Sequence, residues 1–597
     1  MPRRFEPLLL ALTLLAASGP ANAAVPLETQ HRRPVALVTL DNGRHFLVAN
    51  RRSGTISRVD VTLREVTHEV QVGKRLADLA LAPNHKYALV ADSQKRQLVV
   101  CQIEDGRPTP TIRIDLPIEP TRLAIDDTGR HLAVTSKWSP RLLLLDLPIT
   151  PASKLRQVML PMPGRHLLWL PGATTLVVAD AFGGGLAVVD AVAAKVIHEH
   201  RLPAHNIGGL ALFRNSRNTR NASNAHNAGD ARSAPDTTYL VVSHQVLNSA
   251  ARTTPSDVFW GLLMTNNLRR IPIQELLSNK PLPIRRHSVV MLGQAGNAAG
   301  DPAGLAIRAD GSFVVALSGV HQVGIGRPER FELTRIPTGV RPTALWLSAD
   351  ERRAVVTSNL DDRLDLLDLH TAKHLASISL GPRPESTASD RGERMFFDAG
   401  LSRDGWMSCH SCHTDGHSNG RLADTLGDGQ YGNAKRVLSL LGTLDTRPWA
   451  WDGRMATLSD QVLHSVTTTM RGPRPTPSQL TDLVTYLNEL KRPAPSRPAA
   501  SDTQRQSVAQ GRRLFTSLDC RRCHIPPLYT SPETYDVGLG TPNTNPPSLR
   551  GIAQRRRLFH DNRARSIEEV LGRFNHQLPR KISNQERTNL AHFLKTL

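Results

Sequence analysis

No apolar run in this chain of 597 residues reaches the ~20 consecutive residues that span a bilayer, so a transmembrane helix is not expected. Aromatic residues make up only 4% of the sequence, against 41 glycines and 42 prolines. That balance suits short strands and turns better than helices. Acids are outnumbered, 53 to 74 basic residues, and the formal charge of +21 could attract an acidic partner or an anionic surface. Cysteine is also scarce. Of the five cysteines, Cys101 lies in the apolar run from Leu98 to Ile103 and reads as a buried free thiol. The other four stand in two short strings, Cys409-His410-Ser411-Cys412-His413 and Cys520-Arg521-Arg522-Cys523-His524.

The spacing in these strings has a chemical reason. Two thiols three positions apart can each form a thioether to one vinyl group of a haem, and the next imidazole is then held under the iron. The expected cofactors are therefore two covalently bound c-type haems. Cys409, Cys412, Cys520 and Cys523 would be the attachment points, and His413 and His524 the proximal iron ligands. A four-cysteine zinc site, a redox dithiol and a disulfide are the rival readings. Zinc ribbons separate their pairs by about 15–20 residues, whereas these pairs lie over a hundred apart. A redox dithiol does not need His directly after it in both copies.

The N-terminus predicts the compartment. Arg3 and Arg4, the apolar stretch from Leu8 to Ala17, and the small residues Ala21-Asn22-Ala23 read as a signal peptide cleaved near Ala23. Arg3-Arg4 could suggest a twin-arginine signal, but Glu6 and Pro7 follow where that motif is apolar, so a general secretory signal is expected. The mature chain is expected in the periplasm, where c-type haem is attached and nucleic acid is not a partner.

A unit of apolar run, Asp/Asn-Gly-Arg-like turn, second apolar run and Asp-containing strand recurs about every forty residues, starting near Pro34, Leu76, Pro120, His166, Ile207, Pro302 and Pro342. Such alternation marks half-buried strands separated by polar turns. One unit cannot bury its own face but a ring of seven can, which predicts an all-β seven-bladed propeller. The strings resemble the YVTN-type repeats of exported and surface propellers. The fifth unit is about twice as long, and its insertion from Arg214 to Asp236 reads as a disordered surface loop.

Beyond Gly381 the pattern turns to helices and loops and is itself doubled. Gly392 to Phe396 precedes the first cysteine pair as Gly511 to Phe515 precedes the second. Ser439-Leu440 stands before Trp451-Asp452-Gly453-Arg454 at the same spacing as Ser548-Leu549 before His560-Asp561-Asn562-Arg563. Each half closes with an amphipathic helix after a capping signature, at Thr476 and Ser583. The expected organisation is a signal peptide over 1–23, a propeller over 24–385 and a mainly α-helical cytochrome c domain over 386–492. A Pro-rich linker over 493–505 then leads to a second such domain over 506–597.

From Gly392 to Leu597 the chain resembles the bacterial di-haem cytochrome c peroxidase and MauG family, through Gly392 to Ser402, Trp451 to Gln461, Asp536-Val537-Gly538, Pro547 to Gly551 and His560 to Arg563. The resemblance implies a first haem that handles peroxide, a second that passes electrons, and an inter-haem relay at Trp451. The other reading of Trp451 is an indole packed at a domain interface. The resemblance also implies a structural calcium ion between the haem domains and a redox protein partner.

Three departures stand out. Family peroxidases carry a catalytic Glu about twenty residues after this Trp, and the segment from Thr467 to Gly472 has no acid. Their distal His has only His417 as a counterpart. Where relatives place a Met or Tyr ligand to the second haem, Phe574 stands. His576 and Met470 are the candidate distal ligands, and His560 reads as a neighbour of a ligand rather than one itself. Two functions follow as expectations: an oxidoreductase that uses peroxide or oxygen to oxidise a partner, or a non-catalytic electron-transfer cytochrome with the propeller as partner-docking module.

Overall fold

The computed structural model describes residues 30–172, 174–215, 237–282, 289–330, 332–492 and 501–597. The expected signal peptide, most of the fifth-blade insertion and most of the Pro-rich linker lie outside them. Among the described residues no helix is long and apolar enough to cross a membrane.

Seven four-stranded antiparallel sheets form, each built in sequence order from one repeat. The first runs from the strand Pro34–Thr39 to Glu65–Gln71, and the seventh from Pro342–Leu347 to Lys373–Ser379. The second strand of each sheet is buried almost throughout, as in His45–Asn50, Tyr87–Asp92 and Thr175–Asp180. Fourth strands such as Glu65–Gln71 are largely accessible. The reason is position: an inner strand is covered on both faces by neighbouring sheets.

One apolar cluster fills each gap between successive blades, and a cluster containing Phe46, Val48, Val355 and Leu364 closes blade seven onto blade one. Among the described residues no strand crosses that seam. A polar clamp seals it instead, with His31 Nδ1 2.7 Å from Asp362 Oδ2 and the Arg33 amide donating to Asp362 Oδ1. In the first blade's turn, Gly43 has φ +95° and a Cβ there would lie 2.2 Å from the Trp346 ring, so the turn needs glycine for both reasons.

Blade five keeps four strands, with Arg214 and Asn215 ending the strand His205–Asn215. A second excursion in this blade carries the helix Pro255–Phe259, and it grips the region beyond the propeller. Phe259 O accepts from Trp406 Nε1 at 3.2 Å, and Thr253 Oγ1 donates to Asp424 O. Leu247, Leu263 and Met264 share one core with Trp406, Met407 and Met470.

After blade seven the main helices are Ala388–Phe396, Leu458–His464 and Pro477–Glu489, then Asp502–Ser517, Ile567–Gly572 and Asn584–Leu594. The two sets repeat one geometry. The first and third helices cross so closely at Gly392 that a Cβ would lie 2.0 Å from Asp482 O, and Gly511 stands at the same 2.0 Å from Asn589 O. The helix Asp502–Ser517, capped by Ser501, starts inside the segment expected to be linker over 493–505. Ser501 and Gln504 make the helix start that a proline-rich reading overlooked.

Candidate functional site

The first cysteine string forms a one-turn helix, Cys409–Cys412, capped by Ser408 and Ser411 reciprocally. His413 follows at its end, with Nδ1 2.8 Å from Leu438 O. A carbonyl on Nδ1 fixes the tautomer that leaves Nε2 bare for a metal. Both thiols are free, and burial pushes each up to about 12. Protonated, desolvated thiols are unlike a reactive dithiol, whose pKa is lowered. Among the described residues no group of three or more His, Cys, Asp or Glu could hold a metal ion, so the four cysteines do not come together as a zinc site.

Cys409, Cys412 and His413 open onto a cavity of about 270 Å³ whose walls include Met407, Val466 and Met470. Met470 closes a π-helical turn, Ser465–Thr469, and lines the cavity. Met407, two residues before the string, is a cavity residue that sequence reasoning missed. Arg436, Arg492 and Arg555 also line the cavity. Their guanidinium groups donate to backbone carbonyls: Arg436 Nε to Phe559 O, Arg492 Nη2 to Gly442 O and Arg555 Nη2 to Arg550 O. Burial pushes Arg436 down to about 9 and Arg555 to about 10. Buried cations without an anion are costly, and an apolar slot with two thiols, one imidazole and guanidinium groups suits a flat apolar ligand bearing carboxylates. The residues fit haem.

The carboxylates in this lining are Asp428 and Asp452, each tied to a base, Lys435 and Arg454 respectively. Gln461, Ser465 and Thr469 supply neutral polar groups. His417 is absent from the lining. Its Nδ1 meets Ser439 Oγ at 3.0 Å and its ring packs on Phe182 and Trp138 of the propeller, at 4.8 and 5.7 Å between centroids. The structure places it as a buried contact between domains, because the loop after His413 folds down onto blades three and four.

Trp451 stands in the cavity wall where the two helical regions meet. Its Nε1 donates to Arg436 O at 2.8 Å, its carbonyl accepts from the Asn545 amide at 2.8 Å, and its ring meets the edge of His560 at 6.1 Å. The residue that holds the matching register position in the second half is thus its neighbour in space. Arg436 lies over the Trp451 ring at 5.2 Å.

At the second string a 3₁₀ turn, Cys520–Arg522, leads to His524, whose amide donates to Cys520 O at 3.0 Å as His413 does to Cys409 O at 2.9 Å. His524 Nδ1 lies 3.2 Å from Tyr529 O. Phe574 joins the apolar core of this half, and its ring packs on Phe559 at 5.3 Å. His576 packs on the same Phe559 at 5.2 Å. Burial pushes His524 down to about 4, and the charge of His576 acts on it in the same direction.

Residues 387–496 match the family model described as di-haem cytochrome c peroxidase. Methylamine utilization protein MauG of Methylophilus methylotrophus is 23% identical over 271 residues, covering 34% of this chain and 81% of that protein. Cytochrome c551 peroxidase of Nitrosomonas europaea is 23% identical over 276 residues, covering 35% and 79%. A solved chain of Kuenenia stuttgartiensis hydrazine synthase aligns with a TM-score of 0.45 and 17% identity, over 59% of this chain and 99% of that one. The segment that follows the seven-bladed β-propeller is thus similar to di-haem cytochrome c peroxidases, with the family model matching its first half.

Proposed function

We propose that this protein is an exported di-haem c-type cytochrome, an oxidoreductase that uses peroxide or oxygen to oxidise a partner and moves electrons between its two haems through Trp451. The observation that carries the reading is the Trp451–His560 contact at the boundary between two regions that each present a Cys-x-x-Cys-His string. The repeated helix crossings at Gly392 and Gly511 support an origin of both regions by duplication. Cys409 and Cys412 would bind the first haem and Cys520 and Cys523 the second, with His413 and His524 beneath the irons. Arg436, Arg492 and Arg555 would hold carboxylates of the first haem. Haem, when bound, supplies a redox-active iron able to take up peroxide or oxygen.

The remaining chemistry belongs to the chain. Met470 and Met407 shape an apolar wall that excludes water. Met470 at the first site and His576 at the second are the proposed distal ligands. With no Glu in the wall, Gln461, Ser465 and Thr469 would position water for proton transfer. The absence of an unpaired carboxylate in this lining favours the second reading, an electron-transfer cytochrome without peroxide turnover and with the propeller as docking module for a redox partner.

Mass spectrometry of exported protein should show the polypeptide less its first 23 residues plus two haem masses, and a haem-free or zinc-loaded chain would sink the proposal. Stopped-flow mixing with peroxide separates the two readings. Rapid oxidation of both haems supports the peroxidase type, whereas unchanged spectra support the carrier.

A further inference from the structure

Behind the first cysteine string lies a wholly buried polar network contributed by the propeller. Asp301, the residue before blade six, accepts from Ser408 Oγ at 2.5 Å on Oδ2 and from Ser411 Oγ at 2.7 Å on Oδ1. Gln245 of blade five donates through Nε2 to Ser411 Oγ at 3.2 Å, and His205 Nε2 lies 3.1 Å from Ser411 O. Asn206 Nδ2 adds a third donor to Asp301 Oδ1 at 3.4 Å. Asp301, Gln245, His205, Ser408 and Ser411 are all less than 5% exposed.

The protons can be counted. Ser408 Oγ already accepts from the His410 amide and Ser411 Oγ from the Ser408 amide and Gln245, so both hydroxyl protons point at Asp301. Both carboxyl oxygens are then acceptors, and no acceptor is left for a carboxyl proton. Burial holds the Asp301 carboxyl above the ordinary carboxylate range, although the serine hydroxyls and the Arg341 charge pull it down. The donor count decides for the carboxylate.

We infer that Asp301 is a positioning residue through which the propeller seats the first haem-attachment helix and, as a buried negative charge beside it, holds the potential of the first haem low. This inference rests on the proposal that haem is bound at Cys409, Cys412 and His413. Its reach is local, because a fixed charge in a dry interior acts strongly over a few ångströms and weakly on a haem in the other domain. The propeller would then be part of the redox centre and not only a platform beside it.

The test is an EPR-monitored redox titration of the purified full-length protein and its Asp301→Asn variant, after haem counting by mass. The expected result is two haems in both, a raised midpoint for the first iron and an unchanged midpoint for the second. Ser411→Ala, which removes one of the hydroxyl donors that favour the carboxylate, should move the first midpoint in the same upward direction. Should the Asn variant fail to accumulate, the Ser411→Ala titration decides alone. Unchanged midpoints, or equal shifts of both irons, overturn the inference. Absence of covalent haem from the unmodified protein would instead overturn the functional proposal.

Discussion

At the residue scale, Trp451 and Arg436 do the joining. The indole is anchored by Arg436 O, capped by the Arg436 guanidinium and edged by His560, so it touches both haem regions. Trp451→Phe keeps most of the volume and removes the readily oxidised ring. Losing the indole N–H donation to Arg436 O costs about 0.5–1.5 kcal/mol, so thermal unfolding should fall only modestly while inter-haem electron transfer slows by orders of magnitude in stopped-flow traces. Unchanged transfer in a folded variant would make Trp451 a packing residue only. Arg436→Met removes a buried cation whose Nε is held by a backbone carbonyl. Less haem retained per polypeptide is expected if the group offsets haem carboxylates, and full retention would remove it from that role.

At the scale of elements, the helix Ala388–Phe396 is both a capped helix and a docking device. Its capping residue Asp390 bonds Thr387 and pairs with Arg52 and Arg33 from the propeller. Burial alone would raise this carboxyl, but the Thr387 and Arg52 hydrogen bonds win and hold it at about 2 against the ordinary 3.8. A depressed carboxylate contributes stability that is complete above its unfolded pKa and lost as pH falls through the folded one. Asp390→Asn should therefore flatten the loss of stability between about pH 4 and pH 2, read by tryptophan fluorescence during acid titration. Superimposable acid profiles would rule the ion cluster out as a pH-sensitive contact.

The helix crossings make a second prediction at this scale. Gly511→Ala places a Cβ 2.0 Å from Asn589 O, and overpacking of this kind costs about 1–3 kcal/mol. Melting of the second haem region should fall in temperature while the β-signal of the propeller holds. A simultaneous drop of both would show that the two regions unfold as one unit.

At the scale of the whole molecule, the propeller and the helical region are not beads on a string. Blade five shares an apolar core with Trp406, Met407 and Met470, and ion pairs such as Asp415 with Lys137 and Arg165, and Arg556 with Asp180, span the contact. A fragment of residues 30–380 should keep a β-rich circular dichroism spectrum, since each inter-blade core is complete within it. It should also bind a hydrophobic dye more strongly than the full chain, because Leu263 and Met264 lose their cover. A helical spectrum would count against the self-contained ring, and unchanged dye binding against the shared core.

Local information in the chain was enough for much of this. The two Cys-x-x-Cys-His strings, the repeat starts from Pro34 to Pro342 and the capping signatures at Thr476 and Ser583 depend on neighbours within a few residues, so they are legible from order alone. The seven-bladed ring follows as well, because the repeat length and alternation leave each unit an unburied face. Contacts between distant segments are what the tertiary structure decided. His417 lies only four residues past His413, yet it faces Phe182 and Trp138 because the loop turns onto the propeller. Met407 lines the cavity and Asp301 sits behind Ser408 and Ser411, although Asp301 lies over a hundred residues upstream in sequence. Periodicity carries no signal for such pairings. They arise when two separately formed surfaces meet and each buried polar group must find its partner on the other.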